Sequence, residues 1–314
     1  MSAPIATVDE LAERATALWL EVAPAGSRPT SVETLKPAHR KSAVLRLVGA
    51  GPDDRSIVGK RAARGSIERE AQVYRQVLPR LSVPAPRLHG LIADGAMSWL
   101  FVEDAGDVRF DPDLASHREL AGGWMARAHG EARDVAAVAE LPERGSAHYR
   151  ALQRTVDALL REALANPALS GEERTIVEGL SERVAAIGSS WGALASHFER
   201  CPETLVFGGF GSKNARVVDC GDGPVLMPFD FESAGHGCPA IDLVYVDGDA
   251  YVREARAWWP DLDIGGFERL RGIGRRLGSL KAIPGERKVL LGASPSKAVA
   301  KLRWYRDELE KAEA

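Results

Sequence analysis

Cysteine is scarce in this chain: Cys201, Cys220 and Cys238 are the only three in 314 residues, an odd number without CxxC spacing. This argues against a disulfide framework and a zinc cluster and fits plain thiols in a reducing cytoplasm, the expected location. Charge of one sign is also lacking. Lys and Arg total 41 against 44 Asp and Glu, a net charge of -3, and no long basic block occurs, so nucleic acid is not an expected partner. The N-terminal stretch "MSAPIATVDELAERATALWLEV" has acids interrupting its apolar runs. It reads as an amphipathic helix with Thr7 and Glu10 at capping-box spacing, and neither as a leader nor as a membrane span, so no membrane partner is expected. The seven histidines form no HExxH or paired metal spacing, and no GxSxG elbow is present.

What is present is enough apolar residue, 45% of the chain, to fill one large domain or two lobes. Strand texture dominates residues 43 to 103: "SAVLRLVGAG" and "RSIVGKRA" flank a "GAGPDD" turn, and "HGLIADGAMSWLFVED" reads as a second hairpin. Between the hairpins, Ile67, Ala71, Tyr74 and Leu78 follow a helical period in "GSIEREAQVYRQVLPRL" until "VPAPR" stops it. From about residue 114 long helical patterns take over, at 114 to 140, 146 to 166 and 170 to 200, the last opening with Ser170 and Glu173 at capping-box spacing. Further helices are expected over 239 to 314.

A short β insertion interrupts the helices. Ala215 to Val218 and Val225 to Phe229 are β-type runs separated by "DCGDG", which predicts a hairpin with its midpoint near Asp222. That register sets Asn214 across from Asp230, where a carboxamide and a carboxylate oxygen can share a hard cation such as magnesium. A turn residue and a capping residue would satisfy the same spacing.

The residues around this hairpin, "LVFGGFGSKNARVV" and "FDFE", resemble those of the aminoglycoside phosphotransferase and choline kinase family, a branch of the protein-kinase-like fold. In that family a His-Gly-Asp-x-x-x-x-Asn loop precedes a hairpin ending in Asp-x-Glu/Asp. Aligned without gaps, Phe207 stands at the histidine, Gly208 at the glycine, Gly209 at the catalytic aspartate and Asn214 at the asparagine, with Asp230 and Glu232 in the second motif. "AGHGCPAIDL" resembles the segment that follows, with Asp242 as a structural acid.

The resemblance implies an α+β, two-lobed fold: residues 1–103 as a small antiparallel-sheet lobe with one main helix, and residues 104–314 as a larger, mainly helical lobe. It also implies ATP or another nucleoside triphosphate with magnesium as cofactors, the metal falling to Asn214 and Asp230. Lys60 would pair with Glu70, in competition with Glu68, to hold phosphates. The turn in "PAHRKSAVLRL" lacks the usual glycines but offers Arg40 and Ser42, with His39 and Lys41, as phosphate donors. The backbone of Val102, Glu103 and Asp104 in "WLFVEDAGD" would bond the adenine edge.

With Gly209 at the base position and Phe207 at the loop histidine, three readings stay open. They are a pseudokinase or impaired kinase acting with a partner protein, an active atypical phosphotransferase on a small-molecule or peptide hydroxyl, and a module binding another ligand. For the acceptor, Asp247, Asp249, Asp261 and Asp263 beside Trp258 and Trp259 would suit an amine or a sugar, or would serve as helix ends and core packing.

Overall fold

Alternation in "SAVLRLV" sends Ala43, Leu45 and Leu47 to one face of a strand, where they meet the apolar stripe of the N-terminal helix. That pairing organises the first of two compact units into which the chain divides, Met1–Leu120 with Gly209–Ala234, and Ala121–Gly208 with Gly235–Ala314. The hairpin expected within the 104–314 lobe is thus grouped with the N-terminal strands. The computed structural model describes residues 7–23, 27–39 and 42–312.

In the first unit, α1 (Val8–Val22) starts at the expected capping box, with the Glu10 amide donating to Thr7 Oγ1 (3.2 Å) and the Thr7 amide to Glu10 Oε2 (2.7 Å). Leu11, Ala15, Leu18 and Trp19 on α1 bury against Leu45, Leu47, Ile57 and Phe101 of the sheet. That sheet is antiparallel in the order β1-β2-β3-β5-β4: β1 (Ser31–His39), β2 (Ser42–Val48), β3 (Ile57–Ala63), β4 (Leu88–Asp94) and β5 (Met97–Glu103). The two expected hairpins form as β2-β3 and β4-β5. β1 is an addition to them: "SVETLKPAH" has no clean alternation, pairs with irregular register, and carries Pro37 as only an edge strand tolerates. The helix α2 (Arg64–Gln72) continues as a wider turn to Val77 and stops at Pro79. The hairpin β7 (Ala215–Asp219) and β8 (Pro224–Pro228) completes the unit.

The second unit is mainly helical: the C-terminal part of α3 (Ala115–Ala132), then α4 (Ser146–Leu164), α5 (Gly171–Ser189), α6 (Trp191–Arg200), α7 (Gly248–Ala255), α8 (Ile264–Ala282), α9 (Arg287–Leu290) and α10 (Ser296–Lys311). Ser170 caps α5 in the expected box. The single helix expected over 170 to 200 is instead two, broken at Ser190, whose ψ of 13 leaves the helical range. Short strands β6 (Thr204–Val206) and β9 (Gly235–Gly237) pair antiparallel. α8 lies against the turn at Pro239–Leu243, and does so because Gly274 has no side chain: a Cβ there would sit 2.1 Å from the Ala240 carbonyl oxygen.

Candidate active site

Lys60 lies on the sheet face opposite the α1 core, because Gly59, beside it, pairs with Leu45 and Phe101 on the core face. α2 covers that other face and presents Glu70. The Lys60 ammonium donates to Glu70 Oε2 at 2.7 Å and also to Asp230 Oδ1, and it stands 3.5 Å from Glu232 Oε2. Three expected residues, Lys60, Glu70 and Asp230, therefore meet within one unit. Glu68 is exposed and takes no part.

The electrostatics of this cluster are lopsided, with three carboxylates around one ammonium. Burial pushes the Glu70 carboxyl up to about 7; Lys60 opposes the shift, and Asp230 and Glu232 add to it. Burial alone would lower Lys60, but Glu70, Asp230 and Glu232 outweigh it and raise the ammonium above the ordinary lysine range. Lys60 stays charged, and the surplus of the cluster is negative.

Asp230 holds φ 67 and ψ 58, a left-handed conformation that costs a non-glycine residue on the order of 1–3 kcal/mol and persists where the surroundings enforce it. Its Lys60 bond does so on one side. On the other, the Phe231 ring packs edge to face on Tyr74 at 5.1 Å, and Ser66 Oγ donates to Glu232 Oε2 at 3.3 Å. Glu232 thus braces the turn to α2.

The hairpin register differs by one residue from the expected one. Asp219 pairs with Pro224 and Ala215 with Pro228, so Asn214 faces Phe229, whose amide donates to the Asn214 carbonyl at 2.9 Å, and not Asp230. The turn is centred half a residue earlier than Asp222. The Asn214 side-chain nitrogen donates to the Gly209 carbonyl at 2.9 Å and so ties the loop shut, which leaves the carboxamide oxygen for a cation.

Among the described residues no group of three or more His, Cys, Asp or Glu forms a metal cage. Magnesium does not need one, since it is held by one or two carboxylates together with substrate phosphates. The oxygen donors Asp230 and Asn214 and the surplus negative charge around Lys60 fit it on those terms. Such an ion, if bound, would supply neutralisation of phosphate charge.

The remaining nucleotide positions are less tidy. Ser42 shares the sheet face of Lys60, being two residues before Val44, the direct partner of Lys60. Arg40 lies outside the described residues. The Glu103 amide donates to the Arg87 carbonyl at 2.8 Å and the Asp104 amide to the Ser56 carbonyl at 3.2 Å. These two donors, expected for an adenine edge, are thus spent on the unit's own backbone. Val102 is paired on both sides, with Val58 and Leu88, because β5 is an interior strand. The Asp104 carboxylate takes Arg46 and the Gly106 amide.

In the second unit the first half of the catalytic-type loop is fixed through its backbone. Buried Asp242 accepts both the Phe207 amide (2.7 Å) and the Gly208 amide (2.8 Å). Gly208 takes φ 68, the left-handed value that favours glycine. Phe207 is buried, with its ring 5.1 Å from Trp124 and 6.0 Å from His129, and His129 in turn bonds Tyr251 Oη through Nδ1 at 2.9 Å. Lys281, from α8, donates to the Gly208 carbonyl. No local sequence signal marks Lys281, which lies 73 residues further along the chain from the carbonyl it holds.

Two of the four acids considered for an acceptor resolve the other way. Asp247 and Asp263 are helix caps, accepting the Ala250 amide (2.9 Å) and the Gly266 amide (2.6 Å). Trp258 donates to the Ala126 carbonyl at 3.0 Å beneath the Arg133 guanidinium.

A five-stranded antiparallel sheet carrying a lysine paired to a helix glutamate, in a chain whose remainder is mostly helical, defines the two-lobed kinase-like class of α+β proteins. The model of the phosphotransferase enzyme family matches residues 21–279, and the chain belongs to that family. Solved structures agree on the fold. The GDP complex of wild-type aminoglycoside 2'-phosphotransferase-IIIa superposes with a TM-score of 0.61 at 14% identity, over 94% of this chain and 98% of that one. An ethanolamine kinase from Plasmodium vivax gives 0.57 at 11%, over 90% and 81%. A thermostable mutant of aminoglycoside phosphotransferase APH(4)-Ia, in ternary complex with AMP-PNP and hygromycin B, gives 0.52 at 14%, over 95% and 98%. No curated protein matches the sequence. Among the described residues no helix is long and apolar enough to cross a membrane.

Proposed function

We propose that this chain is a cytoplasmic ATP- and magnesium-binding member of its family that has lost the catalytic base, a pseudokinase or impaired kinase acting with a partner protein. The observation that carries this reading is a contrast. Lys60, Glu70 and Asp230 are assembled within hydrogen-bonding distance, while Gly209, at the position of the base, has no side chain. Most of phosphoryl-transfer catalysis is positioning and charge neutralisation, which the first set supplies, and a positioned base contributes about 10²- to 10⁴-fold. Related structures carrying GDP or AMP-PNP support the nucleotide.

The test is calorimetric titration with ATP and ADP, with and without magnesium, followed by assay of phosphate release. Metal-dependent binding with negligible turnover is expected. No nucleotide binding at all would leave the third reading, a module for another ligand.

A second reading, slow phosphotransfer to a small-molecule or peptide hydroxyl, is favoured by one feature. Asp242, Asn214 and Lys281 still hold the backbone of the loop from Phe207 to Gly209. Transfer of the ATP γ-phosphoryl to a hydroxyl panel, read by mass spectrometry, separates the two.

A further inference from the structure

The first unit contains a cavity of about 420 Å³ where the end of the α2 segment meets the loop into β4. Leu78, Val83 and Pro86 give it apolar walls, while Arg75, Arg87 and His89 also line it, and no lining residue is acidic. Arg75 and Arg87 are exposed. Glu103, the acid that accepts the Arg87 amide at 3.3 Å, is engaged by Arg55 at 3.0 Å.

Tyr74 completes the wall. It is 4% exposed, and among the described residues its hydroxyl has no hydrogen-bond partner. With its hydroxyl oxygen closed off from solvent, Tyr74 offers the cavity its ring and not its hydroxyl. The ring is packed edge to face on Phe231.

Apolar faces, the Tyr74 ring among them, and two guanidiniums at the edge are complementary to one class of molecule. We infer that this cavity is a second small-molecule site, separate from the Lys60 cluster, for a compact aromatic carboxylate. The ring system lies on Leu78, Val83 and Pro86, and the carboxylate meets Arg75 and Arg87. The inference does not depend on nucleotide binding.

The probe is hydroxynaphthoate, followed by its own fluorescence on titration of the full chain, with its uncharged amide as control. Saturable one-to-one binding is expected, with the amide at least tenfold weaker and ATP without effect on either. Arg75→Gln with Arg87→Gln, both at exposed positions, should erase the preference for the acid. Ala85→Trp, from a half-buried loop position, should fill the cavity and abolish binding of both, with melting temperature confirming the fold. Equal affinity for acid and amide, displacement by ATP, an acid preference that survives the double arginine variant, or unaltered binding in a folded Ala85→Trp protein would each overturn the assignment. So would failure to saturate.

Discussion

Replacing Glu70 by glutamine tests which force governs the buried cluster. Glu70 is 2% exposed, and its carboxyl is pushed up to about 7 from an ordinary 4.5. Between those two values the folded state holds a proton that the unfolded state releases, so stability is greatest below pH 4.5 and declines as pH rises through about 7. At about 1.4 kcal/mol per unit, the full effect is on the order of 3 kcal/mol, and roughly 2 kcal/mol of it falls between pH 5 and 7.5. Glutamine removes the titration and leaves Lys60 charged throughout. Urea unfolding at half-unit steps should therefore show the wild-type protein losing roughly 2 kcal/mol relative to Glu70→Gln across that window. A difference that stays flat, or that grows in favour of the wild type with rising pH, would refute the reasoning. It would mean that attraction to Lys60 outweighs desolvation and that the pair is an ordinary stabilising ion pair. Asp230→Asn serves as a cross-check: removing a like charge should shift the window downward.

Other outcomes follow from the same contacts. Gly209→Asp should raise ATP turnover by about 10²- to 10⁴-fold if the base is the main loss, since Gly209 is not among the residues with positive φ and its backbone suits an L-residue; unchanged turnover in a variant that binds ATP would show that more is missing. Phe207→His should not be combined with it, because it sets a polar ring into a buried aromatic cluster. Phe207→Ala should cost about 3–5 kcal/mol by urea unfolding. Asp242→Asn should cost about 2–3 kcal/mol, because a carboxamide can accept only one of the two loop amides and turns a donor toward the other. Ser170→Ala should cost about 1 kcal/mol through loss of the cap on α5, visible as a lower melting temperature.

What the sequence revealed of this protein follows the range over which each signal acts. Capping boxes at Thr7 and Ser170 are three-residue signals, and both form. Alternation in β2 and the helical period around Ile67 were also readable, since each is enforced by one local face. The hairpin register was missed by one residue because a turn-rich pentapeptide fixes only roughly where its centre falls, and one step exchanges the residue facing Asn214. The break at Ser190 and the edge strand β1 depend on tertiary packing, which overrides weak local preference. The spent Glu103 and Asp104 amides follow from Arg87 and Ser56 running alongside, and no side-chain pattern encodes that.

On the proposed reading, the loop shows why losing a catalytic side chain need not dissolve the structure that held it. Its clamps reach the main chain: Asp242 takes two amides, Asn214 and Lys281 each take a carbonyl, and none needs the side chain of residue 207 or 209. Phe207 adds packing against Trp124 and His129 without disturbing those bonds. Shape and chemistry are separable here because backbone groups carry the first and one side chain would carry the second. The same division explains the neighbouring cluster, where Asp230 is kept in a left-handed conformation and Glu70 is kept buried at a cost to stability that packing alone does not require. On the proposed reading, a site retaining such costs without the base is one whose remaining task is to hold a charged ligand.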